Sequence, residues 1–285
     1  MPDVTLAQGT IRYTEDGAGP PIVFVHGALV DGRLWEPVVH QLRDRFRCIV
    51  LELPLGSHVL PMPPDADLSP HALAALIADV LAALDLTDVT LVGNDTGGGL
   101  CQLVVVARPE RIGRLVLTDC DAFENFPPKA FRPLMAAARA PGGLRAVLAP
   151  MRIPAARRLP LAYGWLAKRP IARDVMDGWV LRALADPGVM HDLRKVLSGL
   201  SPNPLLDNTP KLVAFDRPVL LAWAREDKFF PVEHAHRLGR IFPDARVAEI
   251  TDSYTFVSWD QPGRLAGLIT GFAAQPAAAA GAGAA

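Results

Sequence analysis

A carboxylate at Asp95 stands at the centre of the turn Gly-Asn-Asp-Thr-Gly-Gly, residues 93–98. A buried strand ending at Val92 is predicted before this turn, and an apolar helix from Leu100 to Ala107 is predicted after it. Ligands of open α/β sheets bind at the carboxyl ends of parallel strands, so Asp95 is expected at a binding edge. The glycines permit a tight turn, and the following helix N-terminus favours negative charge. The pattern predicts a reactive carboxylate, with a simple helix cap as the alternative.

The elements that would position Asp95 are short β-branched runs that alternate with helical patterns. The runs lie at residues 21–25, 48–51, 89–92, 115–117, 219–223 and 246–250. Runs buried on both faces and separated by helices indicate a parallel sheet with crossover helices. One such helix has Ser69 as its N-cap, Pro70 at its first position and an apolar face that extends to Leu84. The predicted fold class is therefore α/β, with a mostly parallel sheet flanked by helices.

The chain divides into three parts by its pattern. Residues 122–209 contain no convincing strand pattern, only helical pieces separated by proline and glycine, which indicates a helical insertion. The core is predicted to comprise residues 1–121 and 210–274, with a last helix around 264–272. The tail, residues 275–285, is nearly all alanine and glycine, and such a composition predicts disorder.

Composition excludes several classes of protein. Half of the 285 residues are apolar, but no run approaches the roughly 18 residues that span a bilayer. The residues after Met1 lack the basic, apolar and small-residue regions of a secretory signal, so we expect a cytoplasmic protein with no membrane partner. A formal net charge of −1 with no basic cluster along the sequence gives no electrostatic footprint for nucleic acid. The expected partner is a small molecule.

The three cysteines, Cys48, Cys101 and Cys120, fall in apolar stretches without the spacing of a zinc site. An odd number of such residues suits reduced thiols buried in a core. We therefore expect neither disulfides nor a metal, and no motif for a cofactor is present.

A second strand ends in a loop that adds context to the Asp95 turn. Residues 23–28 read Val-Phe-Val-His-Gly-Ala, and residues 53–56 read Leu-Pro-Leu-Gly. In this order, with the Asp95 turn downstream, the chain resembles the α/β-hydrolase family over nearly its whole length. The resemblance implies that the backbone amides of Ala28 and Thr96 form an oxyanion hole. It also implies that the helical insertion is a cap over the pocket.

An aspartate in the nucleophile position is similar to the haloalkane dehalogenase and epoxide hydrolase branches of the family. In those branches the carboxylate attacks carbon and forms an alkyl-enzyme ester. Two features depart from them. Thr96 stands beside the nucleophile, where dehalogenases resembling this branch have tryptophan or arginine. The insertion contains one tyrosine, Tyr163, whereas epoxide hydrolases of the branch use a set of cap tyrosines.

The family's acid and base positions follow from the same resemblance. Asp227 matches the acid in the loop after the returning strand, Glu226 is a weaker candidate, and Asp119 lies where some dehalogenase relatives carry their acid. Each of these carboxylates has the alternative role of capping backbone amides. The family places a histidine after the last strand, and by spacing Thr255 occupies that place. No histidine follows His236.

The missing histidine leaves three hypotheses. A threonine hydroxyl cannot accept a proton near neutral pH, and His26 is expected to order its loop, with an accessory role left open. The first hypothesis is a hydrolase-family enzyme acting on a small apolar ester, epoxide or halide through Asp95. The second is a lyase, isomerase or cyclase that uses Asp95 as a general base. The third is a ligand-binding protein on the same fold.

Overall fold

Eight strands form one sheet in the order β1-β2-β4-β3-β5-β6-β7-β8 in the computed structural model, which describes residues 1–274. The strands are β1 Asp3–Leu6, β2 Gly9–Asp16, β3 Pro21–Val25, β4 Arg47–Glu52, β5 Val89–Asp95, β6 Ile112–Cys120, β7 Val219–Ala224 and β8 Ala245–Ile250. Strand β2 is antiparallel to β1 and β4, and all other neighbours are parallel. The predicted class, a mostly parallel α/β sheet, is confirmed. The predicted tail, 275–285, lies outside the described residues.

All six predicted runs belong to strands, but two strands escaped prediction and five of the six are longer than predicted. Strands β1 and β2 form the antiparallel edge, where half-exposed polar residues hide any continuous apolar run. Strand β5 does not end at Val92 but continues to Asp95, because Asn94 keeps its register with Thr118 of β6. Asparagine and aspartate have low strand propensity, so a pattern based on propensity ends such a strand too early.

Helices cover both faces of this sheet. They are α1 Glu36–Leu42, α2 Pro70–Ala83, α3 Thr96–Ala107, α4 Arg132–Arg139, α5 Gly143–Leu148, α6 Arg173–Ala185, α7 Pro187–Gly199, α8 Asn203–Asn208, α9 Val232–Gly239, α10 Val257–Asp260 and α11 Pro262–Ala273. The predicted cap of α2 is confirmed, since the Ser69 hydroxyl accepts a hydrogen bond from the Ala72 amide at 3.3 Å. Helix α3 begins at Thr96, four residues earlier than predicted. Its first turn is built from glycines, and their low helix propensity leads a sequence-based prediction to start the helix too late.

Residues 122–209 contain helices α4 to α8 and short 3₁₀ turns, with no strand in this part of the described chain. Buried polar contacts hold this helical segment against the sheet. The Trp179 indole donates to Asp31 at 2.9 Å, and the Ser57 hydroxyl donates to the Trp179 carbonyl at 2.8 Å. His58 pairs with Asp192 at 3.0 Å, and both side chains are buried beneath the segment.

Three properties of residues 1–274 bear on chemistry. None of their helices has the length and apolar content needed to cross a bilayer. All three cysteines are free and buried. No group of three or more His, Cys, Asp or Glu side chains in this range has the arrangement of a metal site.

Candidate active site

Asp95 lies in a strained turn that close backbone packing enforces. Its φ of 54° and ψ of −132° are rare for a residue with a side chain. A Cβ on Gly97 would lie 2.4 Å from the carbonyl oxygen of His26. A Cβ on Gly27 would lie 2.3 Å from Oδ2 of Asp95 itself. Glycine at these two positions therefore lets the His-Gly loop approach the Asp95 turn, and the carboxylate is presented where the two loops meet.

A cavity of about 280 Å³ opens above this turn. Its wall is mostly apolar and comes from Ala28, Leu29, Pro127, Pro128, Ala130, Phe131, Pro133, Leu134, Met135, Val147, Leu148, Met151, Leu161, Ala162, Tyr163, Leu166, Val180, Leu197 and Leu200. Asp95, Thr96 and Tyr163 are the side chains with polar atoms in the lining. Tyr163 donates its hydroxyl to the carbonyl of Leu29 at 2.6 Å, which ties the helical segment to the loop that carries Ala28. Asp95 is therefore the charged group that a ligand in this cavity would meet.

Asp119 and Asp227 face each other behind Asp95. Asp119 is fully buried and accepts a hydrogen bond from the Ala224 amide at 2.9 Å. Asp227 accepts from the amides of Phe229 and Phe230 at 2.6 and 2.7 Å. The Oδ2 atoms of both aspartates are shielded from solvent and have no donor. A proton on the Asp119 carboxyl would be the missing donor, since Asp119 could then donate a hydrogen bond to Asp227.

The pKa values of this pair follow from the same geometry. Burial, and then the charge of Asp227, raise the pKa of Asp119 well above its usual range. Burial also raises the pKa of Asp227, to about 6, although its two backbone hydrogen bonds oppose the rise. Contact between the two carboxyls raises the pKa of Asp119 and lowers that of Asp227, so Asp119 is the member of the pair that favours its protonated form.

Burial raises the pKa of Asp95 to about 7. The charge of Asp227 adds to the rise, whereas the amide and hydroxyl of Thr96 oppose it. Asp95 keeps part of its surface open to the cavity, so its carboxyl is desolvated by apolar walls while remaining accessible to a ligand. A carboxyl that titrates near neutrality is suited to proton transfer, and its ionised form is a desolvated nucleophile.

Asp121 is a fourth carboxyl of this cluster, and sequence reasoning missed it. It is fully buried, neither of its oxygens has a hydrogen-bond donor, and its amide donates to the Asp95 carbonyl at 3.3 Å. Burial and the charge of Asp95 raise its pKa well above the usual range, against the effect of the Thr96 hydroxyl. Two acids flanking Cys120 at the end of a strand were the available signal, since Cys120 lies opposite Asp95 in the sheet. We refer to Asp95, Asp119, Asp121 and Asp227 as the acidic cluster.

Thr255 lies at the same edge of the sheet. Its carbonyl accepts a hydrogen bond from the Asn94 side chain at 2.9 Å, and the same amide donates to the Thr118 carbonyl at 3.2 Å. Asn94 therefore joins the ends of β5 and β6 to the loop after β8. The fully buried Thr255 hydroxyl is close enough to Asp227 to lower its pKa. The structure thus brings Thr255, Asp227 and Asp119 together beside Asp95.

No histidine of the described chain makes a hydrogen bond to the acidic cluster. His26 is fully buried, donates from Nδ1 to the Gly27 carbonyl at 2.8 Å and accepts at Nε2 from the Leu53 amide at 3.1 Å. Burial lowers its pKa, so it is a neutral group that orders its loop. Glu226, the weaker acid candidate, is exposed and pairs with Lys168, which places it outside the site.

Comparison with known proteins gives four matches that agree with one another. The family model for the alpha/beta hydrolase fold matches residues 20–262. Haloalkane dehalogenase 2 of Mycobacterium tuberculosis is 27% identical over 271 residues, which cover 92% of this chain and 91% of that protein. An uncharacterized protein of the same organism is 29% identical over 278 residues, covering 90% and 76%. Among solved structures, haloalkane dehalogenase DbeA from Bradyrhizobium elkani superposes with a TM-score of 0.75 at 18% identity, covering 94% and 96%, a similarity of fold alone.

Proposed function

The chain belongs to the α/β-hydrolase fold family, and on that premise we propose that it is an enzyme in which Asp95 attacks a small, largely apolar substrate. The single observation that carries this proposal is the position of Asp95 at the floor of an apolar cavity, in a strained turn between two loops. Strained backbone of this kind concentrates at functional sites. The substrate class we propose is an ester, an epoxide or a halide.

In the proposed first step, an oxygen of ionised Asp95 forms a bond to an electrophilic carbon of the substrate. The bond from that carbon to a halide, to an epoxide oxygen or to the alkoxy oxygen of an ester breaks, and the departing atom takes the electron pair. A haloalkane or an epoxide leaves an alkyl ester on Asp95, and an ester leaves a mixed anhydride. The amides of Ala28 and Thr96, which border the cavity, are the proposed donors to the negative oxygen.

The second step needs a base, because water must lose a proton as it attacks the ester. Thr255 stands where the family carries that base, and its hydroxyl cannot serve. Ionised Asp227 is the proposed acceptor of the proton, with Asp119 holding it in place. A carboxylate is a weaker base than an imidazole, so we expect the ester to persist long enough to be detected.

We also propose that residues 122–209 are the cap and that residues 1–121 with 210–274 are the core. The support is that both parts contribute to one cavity: Phe131, Val147 and Tyr163 come from the helical segment, and Asp95 comes from the sheet. The cap then decides which substrates reach the carboxylate.

A second candidate function is proton transfer by a lyase, isomerase or cyclase. The observation that favours it is the pKa of Asp95 near 7, which matches a general base more closely than an ordinary carboxylate does. In that reaction Asp95 removes a proton from carbon and no covalent adduct forms.

The decisive experiment incubates the full chain with haloalkanes, epoxides and esters and follows product and intact protein mass together. The expected result is a mass increase located at Asp95 by peptide mapping: the alkyl group less one hydrogen from a haloalkane, or the whole molecule from an epoxide. Asp95→Asn is expected to abolish both the adduct and turnover, by at least about a thousandfold. Asp207→Asn, an exposed aspartate outside the cavity lining, is the matched control and should behave as the parent protein.

The other outcomes separate the hypotheses. Turnover that requires Asp95 but leaves no adduct at any pH would support proton transfer and overturn the nucleophile. Tight binding of an apolar ligand without any product, in both the parent and Asp95→Asn, would overturn both enzymatic readings in favour of a binding protein.

A further inference from the structure

Residues 125–173 carry ten lysine and arginine residues and no aspartate or glutamate. The cations are spaced along the chain, so they form no compact basic run in the sequence. Six of them are exposed and have no ion pair within the described residues: Lys129, Arg132, Arg139, Arg145, Arg152 and Arg158. Partners of the others come from elsewhere, as with Arg157 and Asp177 at 2.6 Å. This stretch therefore has a strong local positive charge although the whole chain is close to neutral.

Large apolar side chains project from the same stretch. It holds five of the eight large hydrophobic residues that are exposed in the described chain: Val147 (47%), Ile153 (60%), Leu159 (57%), Leu161 (61%) and Trp165 (41%). Isolated exposed apolar residues are ordinary, but a concentration of them in one segment marks an interaction site. We call the exposed side chains of residues 129–173 the basic apolar surface.

The mouth of the cavity lies within this surface. Val147 and Leu161 are exposed and also line the cavity, so they form part of its rim. The Trp165 ring lies 6.3 Å from the Phe229 ring, which in turn lies 4.8 Å from the ring of Phe131 in the cavity wall. The apolar interior of the pocket is thus continuous with the exposed apolar side chains outside it.

We propose that the basic apolar surface docks on an anionic phospholipid bilayer. Cations without local acids complement a negative lipid surface, and each contributes to binding by electrostatic attraction. The apolar side chains enter the interfacial layer, which removes them from water, and tryptophan favours that layer. An acidic protein would satisfy the cations but offers no reason for five protruding apolar side chains. The sequence predicted no membrane partner because no segment spans a bilayer, and surface docking requires no spanning helix.

The test is flotation of the full chain with vesicles of phosphatidylcholine and phosphatidylglycerol, compared with vesicles of phosphatidylcholine alone. Binding to the anionic vesicles is expected to be at least tenfold stronger and to weaken at 0.5 M salt, because salt screens exposed charges. Vesicle binding is expected to shift the tryptophan emission maximum to shorter wavelength, and the variant Trp165→Phe should lose this shift. Equal binding to the two kinds of vesicle, or to neither, would overturn the proposal.

Two double variants separate charge from apolar contact. Arg152→Glu with Arg158→Glu should reduce the vesicle partition coefficient at least tenfold, whereas the matched reversal Arg240→Glu with Arg246→Glu, at exposed positions outside this surface, should not. Ile153→Ser with Leu159→Ser, neither of which lines the cavity, should reduce it severalfold. All four positions of the test variants are exposed, so the substitutions are expected to leave the fold unchanged. Circular dichroism checks this.

Further outcomes would count against the bilayer. Binding to a soluble polyanion such as polyglutamate with the same strength as to vesicles would identify a purely electrostatic surface and overturn the proposal. An unchanged partition coefficient in the serine variant would do the same. The docking surface does not depend on the role of Asp95, so Asp95→Asn should bind vesicles as the parent protein does even if the proposed chemistry fails.

Discussion

Charge is separated between two regions of this molecule. The acidic cluster places four aspartates at the edge of the sheet, and the charged groups that raise the pKa of Asp95, Asp119 and Asp121 are other aspartates. Residues 125–173, which carry the basic apolar surface, hold ten cations and no acid. Both regions depart far from the net charge of −1, which the acids in the rest of the chain restore.

Burial determines how differently the two regions behave. The carboxyls of the cluster are desolvated, and the pKa values of Asp95 and Asp227, about 7 and about 6, place their ionisation close to neutral pH. The exposed cations stay solvated. The first region therefore lowers stability at high pH and is the proposed site of chemistry, whereas the second is the proposed docking surface and is expected to have little effect on stability.

The largest expected effect concerns the stability of the acidic cluster. The unfolded chain loses the Asp95 proton near pH 3.8 and the folded chain near pH 7, so the folded state loses stability as pH rises between these values. Asp95→Asn removes this loss. It should raise the free energy of unfolding at pH 8 by about 2–4 kcal/mol, the lower figure allowing for the side of Asp95 that is open to the cavity. Urea denaturation of both proteins at pH 4 and pH 8 measures it.

The comparison at pH 4 is the control for that prediction. There the carboxyl is protonated in the folded state and about 40% protonated in the unfolded state, so most of the linkage is absent and the two proteins should differ by less than about 1 kcal/mol. The same stabilisation at both pH values would show that ionisation of Asp95 is not its cause.

A second prediction concerns the pH dependence of the reaction at Asp95. Asp227 is ionised above about pH 6, so its charge opposes ionisation of Asp95 near pH 7. Asp227→Asn removes that repulsion and should move the midpoint of the rate of adduct formation down by up to about one pH unit. Asp207→Asn serves as the control and should leave the midpoint unchanged. A midpoint that moves upward would contradict the arrangement of like charges.

A third prediction tests the other side of the comparison. Arg152→Ser with Arg158→Ser removes two cations that have no ion pair in the described chain. The free energy of unfolding should change by less than about 0.5 kcal/mol, and equally at pH 4 and pH 8, because exposed side chains without structural contacts contribute little to stability. Denaturation curves measure this directly. A larger or pH-dependent change would mean that these cations stabilise the fold.

The smallest expected effect concerns Thr255. Its hydroxyl lowers the pKa of Asp227, so Thr255→Val, which is similar in shape, should raise that pKa. Less negative charge on Asp227 then leaves Asp95 easier to ionise, and the midpoint for adduct formation should fall by a few tenths of a pH unit. Thr209→Val, outside the site, is the matched control. An unchanged midpoint would show that the Thr255 hydroxyl has no influence on the pKa values of the acidic cluster.

Much of the fold follows from local pattern. Apolar runs and glycines that are close in sequence specify strand β5, the turn at Asp95 and helix α3. Apolar runs also specify the positions of the six predicted strands. The antiparallel strands β1 and β2 were missed because their half-exposed residues give no apolar run. Asp121 was missed because its signal, the two acids that flank Cys120, depends on Cys120 lying opposite Asp95, and only the sheet register shows that.

The sequence alone placed Asp95, Asp119, Asp227 and Thr255 at or after the carboxyl ends of predicted strands, and hence at one edge of the sheet. Tertiary structure decided the surroundings of each carboxyl. Its pKa depends on which groups surround it, and those groups come from distant parts of the chain. In the same way, only the folded structure decides which cations of residues 125–173 are exposed and which, like Arg157, are buried against an acid. Local sequence pattern determines the position of a residue in its strand or loop. The ionisation of its side chain and its contacts depend on neighbours that come together only in the folded protein.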